Sequence, residues 1–154
     1  MLKGRALEHR VNKTNIMYRK TKMANIKKEE VPILLTKKGM VVQLSTVDYT
    51  GCLKGGLFIA FDAKECASKT SFPLSNIHQH QLEYLKLCNE LGGVCFFLIQ
   101  FTKMHSDEAF KVPATFIAEM WDRGETGGRK SIKYEEFHKE WLVPIDDYLG
   151  QGSN

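Results

Sequence analysis

The clearest hydrophobic pattern in the chain is the run Phe58-Ile59-Ala60-Phe61, which follows Gly55-Gly56 and leads into Asp62-Ala63-Lys64. A short run rich in Phe and Ile after a glycine pair predicts a buried β-strand. Because side chains alternate between the two faces of a strand, Asp62 and Lys64 share one face and Ala63 takes the other. The pattern therefore predicts a carboxylate and an ammonium side by side at the end of an apolar strand.

A second carboxylate precedes this strand in the extended segment Gln43–Tyr49. If the two segments pair as a hairpin through Thr50–Gly56, the side chain of Asp48 reaches the same face as Asp62. The sequence thus predicts a cluster of two carboxylates and one lysine.

Helical periodicity predicts four helices elsewhere. They are residues 3–20, a helix capped by Ser75 that ends at Leu91 before Gly92-Gly93, a helix opened by Pro113 that ends at Trp121, and Tyr134–Trp141. The nearly unbroken apolar run Val94–Phe101 predicts a central strand covered on both faces, and Phe110–Val112 predicts a shorter one. This order indicates an α/β or α+β fold with a mixed central β-sheet flanked by helices.

The chain of 154 residues is expected to form a single domain, 1–154. Its longest apolar run is far below the ~20 residues that span a bilayer, and its amino terminus has no apolar signal core. We therefore expect a soluble, cytoplasmic protein with no membrane association. The four cysteines show no C-x-x-C spacing, which argues against a zinc site and against a disulfide framework.

Charge is distributed unevenly along the chain. The net charge is +4, yet residues 1–38 hold eleven Lys and Arg against three acids. A basic segment on an otherwise acidic domain suits an anionic partner such as a DNA backbone. Within it, lysines bracket the apolar patch Val31–Leu35, which indicates a projecting excursion at about residues 22–44. An ordinary loop with an edge strand, favoured by Pro32, remains the alternative.

Four further residues are candidates for the site or for DNA binding. Glu8 lies on the first helix and supplies a third carboxylate if that helix packs beside Asp48 and Asp62. Gln81, one turn after Ile77, is placed to face the sheet edge. Arg129 and Lys130 follow a glycine turn that suits a phosphate, although such a turn is also typical of an exposed connection. His78 and His80 do not share a helical face, which argues against joint metal ligation.

Two carboxylates and a lysine fit a Mg²⁺ or Mn²⁺ site for phosphodiester chemistry, because these cations prefer hard oxygen ligands. The D-x-K spacing alone is expected by chance in a chain of this composition, and a surface salt bridge is the competing interpretation.

Several segments, which occur in the same order along the chain as in that family, resemble the RecU-type Holliday junction resolvases of the PD-(D/E)xK nuclease superfamily. They are Gly4–Glu8, Asn12–Asn15, Ser45–Gly51, Phe61–Glu65, Lys69–Leu74, His80-Gln81, Gly93–Phe96 and Gly128–Ile132. The resemblance implies a restriction-endonuclease-like core, a homodimer, and metal sites that nick opposing strands of a four-way DNA junction. It also implies that the segment at about 22–44 is a basic stalk that enters the junction.

The resemblance assigns roles to individual residues. Asp48, Asp62, the Ala63 carbonyl and Glu8 are expected to hold Mg²⁺ or Mn²⁺, with Lys64 and Gln81 as further catalytic residues. This chain has Asp62 where the family usually has Glu, and Val47 rather than Pro before Asp48, so the metal position is expected to shift slightly.

Basic side chains are expected to bind the DNA. The candidates are Arg10, Arg19, Lys20, Lys22, Lys27, Lys28, Arg129 and Lys130. Two alternatives stay open at this point: a related nuclease that cuts duplex or flap DNA, and a non-catalytic architectural protein that binds junctions.

Overall fold

The computed structural model describes residues 5–30, 33–42 and 47–150. Within them lie the helices α1 (Arg5–Lys20), α2 (Gln79–Glu90) and α3 (Ala114–Glu125). The strands are β1 (Ala24–Lys28), β2 (Ile33–Thr36), β3 (Gly39–Val42), β4 (Tyr49–Leu53), β5 (Phe58–Cys66), β6 (Ser71–Pro73), β7 (Val94–Phe101), β8 (Glu108–Pro113), β9 (Ser131–Lys133) and β10 (Leu142–Pro144). No helix among these residues has the length and hydropathy of a membrane-spanning segment.

Six strands form the central sheet in the order β1-β4-β5-β7-β8-β10. β5 and β7 run parallel, and every other neighbouring pair is antiparallel, so the sheet is mixed as predicted. β7 is buried along nearly its whole length, because it lies between β5 and β8 with helices on both faces. β6 and β9 form a separate small sheet.

The two faces of the central sheet carry separate hydrophobic cores. On one face α1 packs through Leu7 and Val11 against Phe61, whose ring stacks between those of Tyr49 and Phe96 at centroid distances of 4.8 and 4.7 Å. On the other face α2 and α3 pack on β7 and β8. α1 and the pair α2 and α3 therefore lie on opposite faces of the central sheet.

Residues 145–148, which follow β10, hold α1 in place through hydrogen bonds. The Thr14 hydroxyl donates to the Ile145 carbonyl at 3.2 Å, and the Tyr18 hydroxyl donates to an Asp147 carboxylate oxygen at 2.7 Å. The Tyr148 hydroxyl donates to the Asn15 side chain. The orientation of α1 thus depends on contacts made more than 120 residues away.

The predicted hairpin is present with a tighter turn. β4 and β5 pair with Tyr49 opposite Phe61, and only residues 54–57 connect them, rather than Thr50–Gly56. β5 also continues past Lys64 to Cys66, because its parallel pairing with β7 extends to Cys66 opposite Phe101. The Asp62-Ala63-Lys64 motif therefore lies inside a strand and not at its end.

The excursion predicted at about residues 22–44 divides into two parts. Ala24–Lys28 is β1, the edge strand of the central sheet, with Ala24 and Ile26 buried. β2 and β3 form a hairpin of their own, in which Leu35 is 84% exposed. The part that leaves the sheet is thus shorter than predicted, and residues 31–32 and 43–46 lie outside the described residues.

Three predicted helices need correction. α2 begins at Gln79 and not after Ser75, because Leu74–Asn76 forms a 3-10 turn that buries Leu74. Tyr134–Trp141 is not an α-helix: it contains two 3-10 turns around an extended Phe137. The Phe137 ring packs at 5.1 Å on Phe110, and this aromatic contact outweighs the helical spacing of the segment. α3 also runs beyond Trp121, to Glu125.

Gly51→Ala is expected to destabilise the fold, because β1 and β4 approach closely at Gly51. A Cβ there would lie 2.2 Å from the Asn25 carbonyl oxygen and 2.7 Å from the Ile26 Cα, and backbone atoms cannot rotate away. We expect the free energy of unfolding to fall by about 1–3 kcal/mol, measured by urea denaturation. Cys52→Ala, at the exposed neighbouring position, is the control. Equal stability of Gly51→Ala and wild type would contradict this packing.

Candidate active site

Asp62 is a fully buried carboxylate near the middle of β5. Its Oδ1 accepts hydrogen bonds from the Asp48 backbone N–H at 2.9 Å and from Gln81 Nε2 at 3.3 Å. Its Oδ2 lies 2.8 Å from Lys64 Nζ, in an ion pair. The alternation of β5 places Asp62 and Lys64 on one face, as the sequence predicts.

Asp48 lies directly before β4 and joins Asp62 across the hairpin. Its Oδ2 accepts the Ala63 backbone N–H at 3.0 Å, and its Oδ1 lies 3.1 Å from Lys28 Nζ. Since the Asp48 N–H binds Asp62 in return, the two acids hold each other's position. The Ala63 peptide, proposed from the sequence as a carbonyl ligand, lies beside both.

Burial raises the pKa of Asp62 to about 7. The charge of Asp48 contributes to this raised pKa, and Lys64 acts in the opposite direction. Taking a carboxylate out of water is unfavourable unless positive charge compensates it. The site therefore favours a bound cation, or a bound proton, beside Asp62.

Glu8 approaches the pair from α1 on the other layer. Its Oε1 lies 3.7 Å from Lys28 Nζ, the same ammonium that contacts Asp48. Tyr49 fixes α1 here, because its hydroxyl donates to Asn12 Oδ1 at 2.8 Å and to the Glu8 carbonyl at 3.3 Å. Burial raises the pKa of Tyr49, and the charges of the three acids add to this effect. Glu8 thus faces Asp48 across Lys28.

Gln81 reaches the site from the first turn of α2. Its amide nitrogen donates to Asp62, while its Oε1 accepts the His78 N–H at 3.3 Å. Because both ends of the amide are engaged, Gln81 orients the Asp62 carboxylate. His78 precedes α2, and its ring stacks on that of His80 at 5.6 Å.

The donor set of this cluster fits a hard divalent cation. Asp62 Oδ2 is buried and is paired with Lys64 Nζ at 2.8 Å, which leaves one of its lone pairs for a cation. Among residues 5–30, 33–42 and 47–150, no three His, Cys, Asp or Glu side chains form a ready-made metal-binding group. Two carboxylates with a nearby backbone carbonyl suit Mg²⁺, which usually takes one or two carboxylates and keeps several waters.

The basic candidates for DNA binding fall into different environments. Arg10 donates to the Ser106 carbonyl at 2.6 Å and pairs with Asp107 and Asp146 at 3.3 and 3.1 Å, so it ties α1 to the sheet. Lys28 lies inside the carboxylate cluster, whereas Lys27 points outward. Arg10, Lys27 and Lys28 are therefore not equally available to bind a DNA phosphate.

The other cations lie in two groups. Arg19 and Lys22 line a shallow groove with Lys54, beyond the end of α1, and Lys20 is exposed nearby. Arg129 lines a second groove with Thr70 and Ser71, and Lys130 lies beside Gly124. The structure keeps each group on the surface, away from the buried carboxylates.

Sequence reasoning missed two members of this neighbourhood. Tyr49 and Asn12 form the link between β4 and α1, and Asn12 lies one turn after Glu8 on the same helix face. That spacing is the signal that could have identified Asn12. The contact of Lys28 with the acids had no such signal, because it depends on the pairing of β1 with β4.

A family model and individual relatives of this chain point to the same protein family. Residues 2–148 match the family model described as RecU, Recombination protein U. A Holliday junction resolvase RecU from Pediococcus pentosaceus is 38% identical over 150 residues, which cover 90% of this chain and 73% of the relative. Proteins of the same description from Limosilactobacillus fermentum and Oceanobacillus iheyensis are each 38% identical over 165 aligned positions, covering 96% of this chain and 77% and 83% of theirs. With this similarity along nearly its full length, the chain belongs to the RecU family.

Proposed function

We propose that this chain is a Holliday junction resolvase: an endodeoxyribonuclease that hydrolyses phosphodiester bonds in four-way DNA junctions. The observation that carries the proposal is the cluster of Asp62 and Lys64 on β5 with Asp48 directly before β4, in a member of the RecU family. In this arrangement a buried carboxylate, a partly buried carboxylate and an ammonium lie together at the sheet, which suits phosphoryl chemistry.

The proposed cofactor is Mg²⁺ or Mn²⁺, held by Asp48, Asp62 and the Ala63 carbonyl, with Glu8 in contact directly or through water. When bound, such a cation supplies positive charge at the scissile phosphate and lowers the pKa of a bound water. The raised pKa of Asp62 supports this assignment, because its charged form needs a compensating cation.

The side chains have separate roles in this proposal. Lys64 orients the attacking water and offsets the negative charge that develops on the phosphate. Gln81 holds Asp62 Oδ1 in place, and the Ala63 N–H holds Asp48 Oδ2. Because each carboxylate is fixed by a neighbouring peptide or amide, little reorganisation is needed when substrate binds.

DNA contacts are proposed for the basic side chains outside the cluster. Lys27 and the groups around Arg19 and Arg129 are exposed and suited to phosphates. Arg10 is the least suited, since its guanidinium is already paired with two acids. The β2–β3 hairpin, with Lys37 and Lys38 at its turn, is the part proposed to enter the junction.

A homodimer is proposed because symmetric nicks in opposing strands require two sites. The relatives named above are bacterial, and bacterial DNA lies in the cytoplasm, where we propose that this protein acts.

The function is tested by comparing cleavage of a synthetic four-way junction with cleavage of its constituent duplexes in Mg²⁺. We expect paired nicks in the junction, and much slower cutting of the duplexes at equal concentration. Equal cutting of duplex or flap DNA would identify a nuclease of different specificity. Junction binding without cleavage in either Mg²⁺ or Mn²⁺ would identify an architectural protein.

A further inference from the structure

Lys28 has an unusual position for a lysine at the edge of a sheet. It is the last residue of β1 and lies opposite Tyr49 in the register with β4. Its Nζ lies 3.1 Å from Asp48 Oδ1 and 3.7 Å from Glu8 Oε1, and it sits 5.4 Å from the centroid of the Tyr49 ring. The ammonium thus occupies the space between two of the proposed metal-binding carboxylates.

Lys27 provides a direct comparison within the same strand. It points to the opposite side, where its side chain is 72% exposed and lies 3.7 Å from Glu29. The Lys28 side chain is only 34% exposed. Two adjacent lysines with equal charge therefore differ in their partners, because only Lys28 of the two contacts Glu8 and Asp48.

The charge of the cluster explains why Lys28 occupies this space. Glu8 and Asp48 both contact the Lys28 ammonium, whereas Lys64 is paired with Asp62. Without Lys28, repulsion between Glu8 and Asp48 would be uncompensated. With a divalent cation at the same acids, however, the Lys28 ammonium would face a like charge at short range and be repelled.

We propose that Lys28 is a built-in counter-ion of the metal site. Its ammonium fills the gap between Glu8 and Asp48 until a divalent cation binds there. The cation then displaces the ammonium, which contacts a DNA phosphate instead. Its flexible four-carbon stem allows the ammonium to move without a change in the backbone. Lys28 is thus a positioning residue that links metal binding to DNA binding. The inference rests on the proposed function.

The first test measures divalent binding to the full-length protein without DNA, by titration calorimetry with Mn²⁺. Lys28→Met keeps the apolar stem and removes the charge, and we expect it to tighten Mn²⁺ binding on the order of tenfold. Lys27→Met removes the same charge one residue away and should leave the affinity nearly unchanged. Lys28→Arg keeps the charge and should also match wild type. Equal or weaker Mn²⁺ binding by folded Lys28→Met would overturn the counter-ion role.

The second test concerns the release of the ammonium. Junction affinity is measured for wild type and Lys28→Met, once with Ca²⁺ and once with EDTA. We expect the substitution to weaken binding more with Ca²⁺, and to lower the slope of log K against log salt by about 1 in that condition. An equal loss in both conditions would refute the release step, because Lys28 would then contact DNA regardless of metal.

Asp62→Asn separates this inference from the proposed function. If wild type binds Mn²⁺ and Asp62→Asn does not, the metal site stands, and an unchanged Lys28→Met overturns only the counter-ion role. If wild type itself binds no divalent cation, the metal site and the counter-ion role both fail.

Discussion

Asp62→Asn and Lys64→Ala are each expected to lower Mg²⁺-dependent cleavage of a four-way junction by a factor on the order of 10³. Asp62→Asn removes the carboxylate at the centre of the cluster, and Lys64→Ala removes the ammonium 2.8 Å from it. The measurement is single-turnover cleavage at saturating protein, so that weaker binding does not contribute.

Exposed residues provide matched controls for these two variants. Asp122→Asn and Lys103→Ala make the same chemical changes on the surface and should cleave as wild type does. Asp62→Asn should retain junction binding, since it removes a negative charge. If both site variants retain cleavage, the assignment of this site is wrong.

Asp62→Asn is also expected to stabilise the protein at alkaline pH in the absence of divalent cations. The folded-state pKa of Asp62 is raised to about 7, above the ordinary unfolded value of about 3.9. The folded state therefore binds more protons between these values, and wild-type stability falls as pH rises from about 4 to about 7. Asparagine does not titrate, so the variant lacks this loss.

The stability difference is measured by urea denaturation in EDTA at pH 5 and pH 8. We expect the free energy of unfolding of Asp62→Asn, relative to that of wild type, to be about 1–3 kcal/mol higher at pH 8 than at pH 5. Added Mg²⁺ at pH 8 should stabilise wild type and not the variant, because only a folded site that binds the cation gains from it. Asp122→Asn should show no such pH-dependent difference. A fall in the relative stability of Asp62→Asn from pH 5 to pH 8 would contradict the environment described for this carboxylate.

The sequence was sufficient to predict the features that depend on local pattern. The apolar run before Asp62 and the alternation of strand side chains place Asp62 and Lys64 on one face, and hairpin pairing adds Asp48. The long apolar run of β7 likewise predicts a central strand. These features are determined by neighbouring residues along the chain.

Features determined by distant contacts were not predictable in the same way. The segment around Phe137 has helical spacing, but its aromatic packing against β8 requires the finished sheet. β1 is short and polar, and it is recognisable only once α1 covers Ala24 and Ile26. The position of Lys28 beside Glu8 and Asp48 follows from that strand and was therefore missed.

The attachment of α1 to the carboxyl end of the chain has a consequence for protein synthesis. Glu8 is translated well before Ile145, Asp147 and Tyr148, whose bonds help to fix its helix. A ribosome-bound chain that lacks these residues cannot make those bonds, even when β4 and β5 are complete. We therefore expect the full carboxylate cluster to form only after residues 145–148 have been translated.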